Sequence, residues 1–343
     1  MNSEWRTFLQ THSASISETD GAQFPQSGTD PACALIDLSH FGLISVSGED
    51  AETFLQGQVT NDVRNLTGEN FQISACCSPK GRMLANFLCF RRQQEILLQL
   101  PRDTQQLLLK RLPMFILMSR VKVTDASDKL VCFGVLGECA EVLLRDRFSR
   151  IPERVWERVE EDGFTLLRPP GATQRFQLIG EPDGMMALWK QLAETAKPVS
   201  SDRWMLENIR AGVPTIHGSN SEAFIPQMAN MQLIEGVSFT KGCYTGQEVV
   251  ARTRYLGKVK RRMYLARIDS ARCPLPGEGL YSPESQSGQG AGRVVDAQHD
   301  PDGGCELLAV IEIACHDAGD VRIGSEAGEP LIFQTLPYSF EDN

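Results

Sequence analysis

The stretch KGCYTGQE occupies residues 241–248 and places a cysteine between two glycines. Glycine tolerates backbone angles that other residues avoid and lets a ligand approach the chain closely. Lys241 lies two residues before Cys243, and a cation near a thiol favours the thiolate, which is the reactive form. A helix that begins at Thr245 or Gly246 would add its positive end to this effect. The pattern predicts a reactive thiol at Cys243, and the alternative interpretation is a turn that buries a small side chain.

The composition indicates a soluble globular protein with more than one domain. The chain has 343 residues, of which 41% are hydrophobic and 23% are charged, and its formal net charge is -10. This length predicts two or three domains, and the negative charge argues against a general nucleic-acid coat protein. No apolar run reaches the length of a membrane span, and residues 1–31 show no secretory-signal pattern. We therefore expect a cytoplasmic protein without a membrane partner.

The cysteine pattern predicts free thiols. The chain contains ten cysteines, and most of them have apolar neighbours, where a free cysteine behaves as a small hydrophobic residue. Because disulfides are rare in the cytoplasm, we expect no structural disulfide. We also expect no metal site, since the chain has no CxxC pair. The adjacent residues Cys76 and Cys77 are poorly spaced for one tetrahedral zinc ion, as are Cys315 and His316.

Strand and helix patterns alternate along most of the chain and predict an α+β protein. Residues 1–30 are polar and predict a flexible leader with a short helix at Ser3 to Leu9. Residues 31–255 predict an α+β body of two subdomains. After Arg262, glycine and proline become frequent between short strand patterns, which is typical of a small antiparallel barrel. We therefore assign residues 256–343 to a C-terminal β-barrel.

A basic stretch lies close to this predicted boundary. It contains six cations: Arg252, Arg254, Lys258, Lys260, Arg261 and Arg262. One interpretation is a surface that binds RNA or protein without catalysis. Only Tyr255 is interleaved with these cations, however, and RNA surfaces that stack on bases carry more aromatic residues. The other interpretations are a solvated face or a group of cations that holds the carboxylates of a ligand.

The stretch at 241–248 resembles the signature of the YgfZ family, which comprises folate-binding relatives of the glycine-cleavage T-protein, an aminomethyltransferase. Four further segments are similar to the family in the same order and extend the resemblance over most of the chain. They are FLQGQVTNDV at 54–63, PKGR at 79–82, FIPQMAN at 224–230 and LPYSF at 336–340.

This resemblance implies a glycine-cleavage T-protein-like fold, with two α+β subdomains and a C-terminal antiparallel β-barrel around a central channel. It also implies that tetrahydrofolate or a derivative binds in the channel beside Cys243. The family is associated with the upkeep of iron–sulfur enzymes and their assembly factors, and through them with tRNA methylthiolation, so a link to tRNA would be indirect. If the chain is an enzyme, the resemblance implies a folate-dependent, transferase-like activity.

The resemblance assigns roles to individual residues. Cys243 is the predicted catalytic thiol. The predicted folate-binding residues are Lys80, Arg82, Trp204, Arg210, Asn230, Lys241, Gly242, Tyr244, Gly246, Gln247 and Glu248. Trp204 has two interpretations, since a large aromatic side chain either stacks on a flat heterocycle or fills a core.

Arg210 is a departure from the T-protein pattern. In the T-protein relatives, an acidic residue at this position holds the pterin through paired hydrogen bonds. A guanidinium group has only donors and cannot replace a carboxylate acceptor. The departure argues against the alternative of an aminomethyltransferase, and it predicts that Arg210 meets the glutamate tail of folate or another anionic partner.

Overall fold

The computed structural model describes residues 1–17, 21–25, 31–255, 259–288 and 290–340. Its helices are α1 (Ser3–Thr11), α2 (Ala51–Gln56), α3 (Arg102–Arg111), α4 (Ala140–Arg145), α5 (Pro182–Leu192), α6 (Asp202–Arg210), α7 (Gln247–Tyr255) and α8 (Ile313–Ala318). Its strands are β1 (Ser15–Ser17), β2 (Gly21–Gln23), β3 (Cys33–Asp37), β4 (Phe41–Ser47), β5 (Phe71–Cys77), β6 (Met83–Arg92), β7 (Glu95–Pro101), β8 (Lys122–Asp125), β9 (Val131–Gly137), β10 (Arg158–Glu161), β11 (Phe164–Leu167), β12 (Arg175–Gly180), β13 (Lys197–Val199), β14 (Arg261–Ile268), β15 (Gly279–Tyr281), β16 (Gly292–His299), β17 (Cys305–Glu312), β18 (Arg322–Ile323) and β19 (Ile332–Gln334).

The chain divides into two units that are each discontinuous in sequence. The first unit contains residues 1–55, 63–72 and 87–207, and the second contains residues 56–62, 73–86 and 208–343. The predicted body at 31–255 thus contributes to both units, and the predicted C-terminal domain lies within the second.

A six-stranded sheet organises the first unit, in the order β10-β11-β12-β9-β3-β13. Its neighbours pair antiparallel except β13 and β3, which are parallel. All seven residues of β9 are buried, as expected for a strand covered on both faces. A five-stranded sheet has the order β5-β6-β7-β4-β8.

The start of the chain packs into the core of the first unit, unlike the flexible leader predicted for residues 1–30. Trp5 and Leu9 of α1 are fully buried, and the indole nitrogen of Trp5 donates a hydrogen bond of 2.8 Å to the Asp37 carboxylate. The Trp5 ring also packs edge-on against Trp189. The short helix predicted at Ser3 to Leu9 corresponds to α1, but the polar composition of the segment concealed that one face of it is buried. Residues 18–20 and 26–30 of the predicted leader lie outside the described residues.

A curled antiparallel sheet forms the C-terminal part of the second unit. Its order is β18-β15-β16-β17-β14-β19, and every pair in it is antiparallel. The predicted β-barrel thus corresponds to a half barrel, and apolar side chains such as Leu307 and Ile311 belong to its buried core. With the first unit, this sheet confirms the predicted α+β class.

Two disulfides contradict the prediction that the cysteines are free. Cys33 pairs with Cys139 across a Cα separation of 5.7 Å, and Cys273 pairs with Cys305 across 5.5 Å. Both separations are typical of disulfides. Apolar neighbours in the sequence indicated burial but could not show which cysteines the strand pairing brings together.

Among the described residues, every helix is too short or too polar to cross a lipid bilayer.

Candidate functional site

The buried ammonium group of Lys241 attaches the signature loop, residues 241–246, to another segment of the second unit. Its Nζ donates hydrogen bonds to the carbonyl oxygens of Val59 (2.6 Å) and Asn61 (2.7 Å). Nζ also lies 5.1 Å from the ring centroid of Tyr244. Because a buried charge without partners is costly, these contacts restrict the loop to conformations that keep Lys241 in place.

The segment that receives Lys241 is itself held by hydrogen bonds. The side-chain amide of Asn61 donates to the carbonyl oxygens of Ile73 (3.0 Å) and Glu235 (2.6 Å). The hydroxyl of Thr60 donates to the carbonyl oxygen of Gly236 at 2.7 Å. The two carbonyl groups that bind Lys241 therefore belong to a fixed backbone.

Cys243 presents its thiol to solvent from this attached loop. All ten cysteines lie in the described residues, and Cys243 is the exposed one among the free thiols. The buried free thiols are Cys76, Cys77, Cys89, Cys132 and Cys315. Exposure makes Cys243 the free thiol that a substrate, a ligand or an alkylating reagent reaches first.

The two glycines of the signature loop have different surroundings. Gly246 has φ +87°, and a Cβ there would collide with the carbonyl oxygen of Ser78 and lie 2.9 Å from the Cα of Gly81. This glycine is required, because it permits the left-handed backbone and the close approach of the 78–82 turn. A Cβ on Gly242 would meet nothing within 4 Å, so the space beside Cys243 is open.

The rest of the octamer forms the entry into α7. Tyr244 is buried, and this burial raises the pKa of its phenol above the usual range, so the ring stays neutral. Helix α7 begins at Gln247, whose backbone N–H donates a hydrogen bond of 3.1 Å to the carbonyl oxygen of Tyr244. Cys243 thus lies just upstream of the helix, and the exposed Glu248 in the first turn suits the positive end of the helix dipole.

Asn230 is a buried residue with a left-handed backbone, φ +56°. Its side-chain amide donates to the carbonyl oxygen of Met263 (2.8 Å) and to the hydroxyl of Tyr338 (3.3 Å). The amide oxygens of Asn230 and Gln227 are both buried and have no hydrogen-bond donor among the described residues. An unmatched buried acceptor costs about 1–3 kcal/mol, so these two oxygens favour any donor that reaches them.

Arg210 meets carboxylates of its own chain. Its Nε lies 3.1 Å from both carboxylate oxygens of Glu306, and a terminal nitrogen lies 2.8 Å from Glu306 and 3.2 Å from Asp300. Burial opposes the ionisation of Asp300, but the hydrogen bond from the backbone N–H of Asp302 and the charge of Arg210 hold its pKa below the ordinary value. The donors of Arg210 thus face acids of its own chain, whereas the sequence predicted that they meet the glutamate tail of folate or another anionic partner.

Trp204 lies in the core of the first unit. It is 2% exposed, and its ring lies 4.6 Å from the guanidinium carbon of Arg175. A Cβ on Gly134 would collide with the indole, which shows how closely the backbone of β9 approaches the ring. These contacts favour the interpretation of Trp204 as a core residue.

The 78–82 turn borders a cleft of about 1330 Å³ in the second unit. Arg82 lines it and donates hydrogen bonds to the carbonyl oxygens of Glu222 (3.2 Å) and Ala223 (2.6 Å). The cations Lys260 and Arg293 also line the cleft. Lys80 is exposed at the tip of the turn. Cys243 is not among the residues that line this cleft.

Several cations of the basic stretch are engaged by groups of the chain itself. The guanidinium carbon of Arg254 lies 4.1 Å from the ring centroid of Phe239, and that of Arg262 lies 4.7 Å from the ring of Phe340. Arg261 forms a 2.8 Å ion pair with Glu312. Lys258 lies outside the described residues. Of these contacts, the ion pair of Arg261 offsets a positive charge, whereas Arg252, Arg254 and Lys260 remain exposed.

Sequence reasoning missed Glu306 and Asp300, which are 96 and 90 residues away from Arg210 in the chain. It also missed the carbonyl groups that hold Lys241, although these lie within the segment 54–63 that resembles the family. The sequence did contain one signal for these acids, since a cation at position 210, where T-protein relatives carry an acid, calls for an acidic partner.

Comparison with known proteins shows the family to which the chain belongs. Residues 26–153 match the GCVT N-terminal domain. The tRNA-modifying protein YgfZ of Klebsiella pneumoniae (strain 342) is 34% identical over 318 residues, which cover 93% of this chain and 97% of the relative. The tRNA-modifying protein YgfZ of Colwellia psychrerythraea is 33% identical, with 94% and 98% covered. This chain belongs to the YgfZ family.

A solved structure shows which fold this YgfZ family member adopts. The glycine cleavage system aminomethyltransferase T from Bartonella henselae superposes with a TM-score of 0.75 and 15% identity, over 98% of this chain and 97% of the other. The prediction of a glycine-cleavage T-protein-like fold is therefore confirmed.

The two glycines of the signature loop are expected to respond differently to the same substitution. Gly246→Ala should lower the free energy of unfolding by at least about 1 kcal/mol, because alanine is strained in a left-handed backbone and its Cβ would collide with the 78–82 turn. Gly242→Ala should be neutral or stabilise by about 0.5 kcal/mol. Urea denaturation of both variants measures this difference, and equal losses would refute the described loop geometry.

Replacing Arg210 should leave Glu306 and Asp300 as buried, unpaired charges. We expect Arg210→Met to cost about 2 kcal/mol, between the values for exposed and buried ion pairs. Because the pKa of Asp300 is lowered, the stabilisation is present above the ordinary carboxyl pKa of about 3.9 and is lost as the pH falls through the lowered value. Urea denaturation across this pH range measures the effect.

The matched control is Glu306→Gln combined with Arg210→Met. Removing the unpaired carboxylate should recover part of the lost stability, so the double variant should lose less than the sum of the single variants. Additive losses would show that Arg210 and Glu306 do not stabilise each other.

Proposed function

We propose that this protein is a cytoplasmic, folate-binding accessory factor that supports tRNA modification through iron–sulfur enzymes, with Cys243 as its working thiol. The observation that carries the proposal is an exposed free thiol on a loop held by the buried ammonium of Lys241. The relatives named tRNA-modifying protein YgfZ support the link to tRNA. Methylthiolation is the modification that the family resemblance implies.

Several groups of the second unit suit a folate. The pterin ring carries amine and amide donors, and the buried acceptor oxygens of Asn230 and Gln227 have no donor among the described residues. The glutamate tail carries carboxylates, and Lys80 offers an exposed cation. The open space at Gly242 allows a ligand to approach the backbone beside Cys243. In this proposal the acceptors orient the heterocycle, and Lys80 and Arg82 attract the tail.

The chemistry of the site follows from these positions. Bound tetrahydrofolate would supply a carrier for one-carbon units. Lys241 acts as a positioning residue, since its ammonium bonds to backbone carbonyl groups and keeps the loop in place. Cys243 supplies a nucleophilic or redox-active sulfur that is open to a partner enzyme. Tyr244 contributes packing, because burial keeps its phenol protonated.

The aminomethyltransferase alternative is less well supported. Arg210 stands where the T-protein relatives carry their acid, and its donors already face Glu306 and Asp300. An adaptor that binds RNA is also less well supported, because Arg254, Arg261 and other cations of the basic stretch contact groups of the chain itself. Both alternatives leave the exposed thiol at Cys243 without a role.

Substitution of the thiol tests the proposal. In cells that lack the native protein, a Cys243→Ser variant is expected to leave tRNA methylthiolation at the level of the deletion strain, whereas the wild-type gene restores it. Mass spectrometry of tRNA nucleosides measures the modification, and immunoblotting confirms equal protein levels. Calorimetry of the purified protein is expected to show tetrahydrofolate binding.

Thr253→Ala is the matched control on the neighbouring helix α7, where the threonine hydroxyl bonds to the carbonyl oxygen of Val249. It should restore methylthiolation fully. Normal methylthiolation with Cys243→Ser would remove the role proposed for the thiol. Formation of methylenetetrahydrofolate from an aminomethyl-lipoyl carrier would instead favour the aminomethyltransferase.

A further inference from the structure

The second unit brings together two cysteines and a histidine that the proposed function does not use. The sulfur atoms of Cys273 and Cys305 and a ring nitrogen of His299 all lie within 4.8 Å of one another. These are soft and borderline ligands of the kind that zinc prefers. The sequence predicted no metal site, because it contains no CxxC pair.

Strand pairing creates this cluster. His299 ends β16 and Cys305 begins β17, and the two residues are direct partners in the antiparallel register. The hairpin between them turns at Gly303 and Gly304, which have φ +102° and +74°. Cys305 also pairs with Ile268 at the end of β14, and Cys273 follows in the next loop. The sheet therefore fixes His299 and Cys305, and the disulfide shows that Cys273 reaches them.

The distances suit a tetrahedral metal ion. Sγ of Cys305 lies 3.6 Å from Nδ1 of His299. With zinc bonds of about 2.3 Å to sulfur and 2.05 Å to nitrogen, a tetrahedral ion separates these two atoms by about 3.6 Å. Two zinc-bound sulfur atoms would be about 3.8 Å apart, so the pair coordinates a metal only after the disulfide has opened.

We propose that reduced Cys273 and Cys305, together with His299, bind one Zn²⁺ ion, and that oxidation of the two thiolates to the disulfide releases it. Cys305 is buried, Cys273 is half-buried and His299 is exposed. The fourth position therefore faces solvent and takes a water molecule or a ligand from a partner.

The redox step balances with glutathione disulfide as the oxidant. One thiolate attacks glutathione disulfide and releases a glutathione thiolate, and the second thiolate then attacks the mixed disulfide and releases another. The protein loses two electrons, the oxidant gains two, and the sulfur atoms that held Zn²⁺ become bonded to each other. In the cytoplasmic location proposed above, glutathione keeps such pairs reduced, so the metal-bound form would predominate until an oxidative challenge.

Cobalt binding to the reduced protein tests the site, since Co²⁺ replaces Zn²⁺ and its thiolate charge-transfer absorption reports sulfur ligands. The experiment uses the full chain with Cys243→Ser, which removes the exposed free thiol. One equivalent of Co²⁺ is expected to bind with thiolate absorption, and Zn²⁺ should displace it. Glutathione disulfide should abolish the absorption and release the metal, and the oxidised protein should bind none.

The His299→Gln variant distinguishes a metal-binding site from a cysteine pair that only forms a disulfide. The residue is exposed, so the variant should fold and form the Cys273–Cys305 disulfide as the parent does. Its affinity for Co²⁺ should fall by at least about tenfold, because even the loss of groups that only orient a ligand costs 10–100-fold. A Cys33→Ala, Cys139→Ala double variant, which lacks the other disulfide, should bind Co²⁺ like the parent.

Two results would overturn the proposal. The first is a reduced protein that shows no thiolate-to-cobalt absorption. The second is His299→Gln with unchanged affinity, which would show that the histidine is not a ligand. The first result would leave Cys273 and Cys305 as a disulfide pair without a role in metal binding, and the second would refute the site of two cysteines and one histidine.

Discussion

The buried ammonium group of Lys241 is the constraint on which the site depends. A charge at 6% exposure needs strong partners, and the carbonyl groups of Val59 and Asn61 provide them. The side-chain bonds of Asn61 hold those carbonyl groups in turn. The signature loop is therefore attached to a segment that lies about 180 residues earlier in the chain. Cys243 is exposed, but the loop that carries it is held in place. A lysine in this position acts by holding the backbone, whereas its spacing from Cys243 had suggested a direct effect on the thiol.

Charge pairing within the second unit also explains how the family fold accommodates Arg210. Arg210 stands where T-protein relatives carry an acid. Its guanidinium group contacts Glu306 and Asp300 in the C-terminal part of the chain. These acids belong to the hairpin that follows β16, and His299 and Cys305 lie directly beside them in sequence. One hairpin therefore carries both the anionic partners of Arg210 and two of the proposed metal ligands. A change in the oxidation state of Cys305 would act on the same turn that positions Glu306.

Local sequence patterns predicted much of this structure, but they could not predict contacts between residues that are far apart in the chain. The spacing of glycine, lysine and cysteine in residues 241–248 indicated the candidate site. The order of the family-like segments predicted the fold. Both signals can be read from residues that are neighbours in the sequence. Trp5 was missed because the polar residues around it concealed one apolar helix face. The Cys33–Cys139 and Cys273–Cys305 pairs were missed because only strand register decides which cysteines meet. Periodicity alone could not show whether Trp204 was a core residue or a stacking platform.

The most direct test of the central claim is the alkylation rate of Cys243 in the native protein, measured with and without tetrahydrofolate across a range of pH. If the attached loop presents this thiol beside a folate, saturating tetrahydrofolate should slow alkylation. A folded Lys241→Met variant should lose that protection, because its loop is no longer held to residues 59–61. Equal alkylation rates in the presence and absence of tetrahydrofolate would contradict the claim and leave Cys243 as an exposed residue without a part in folate binding.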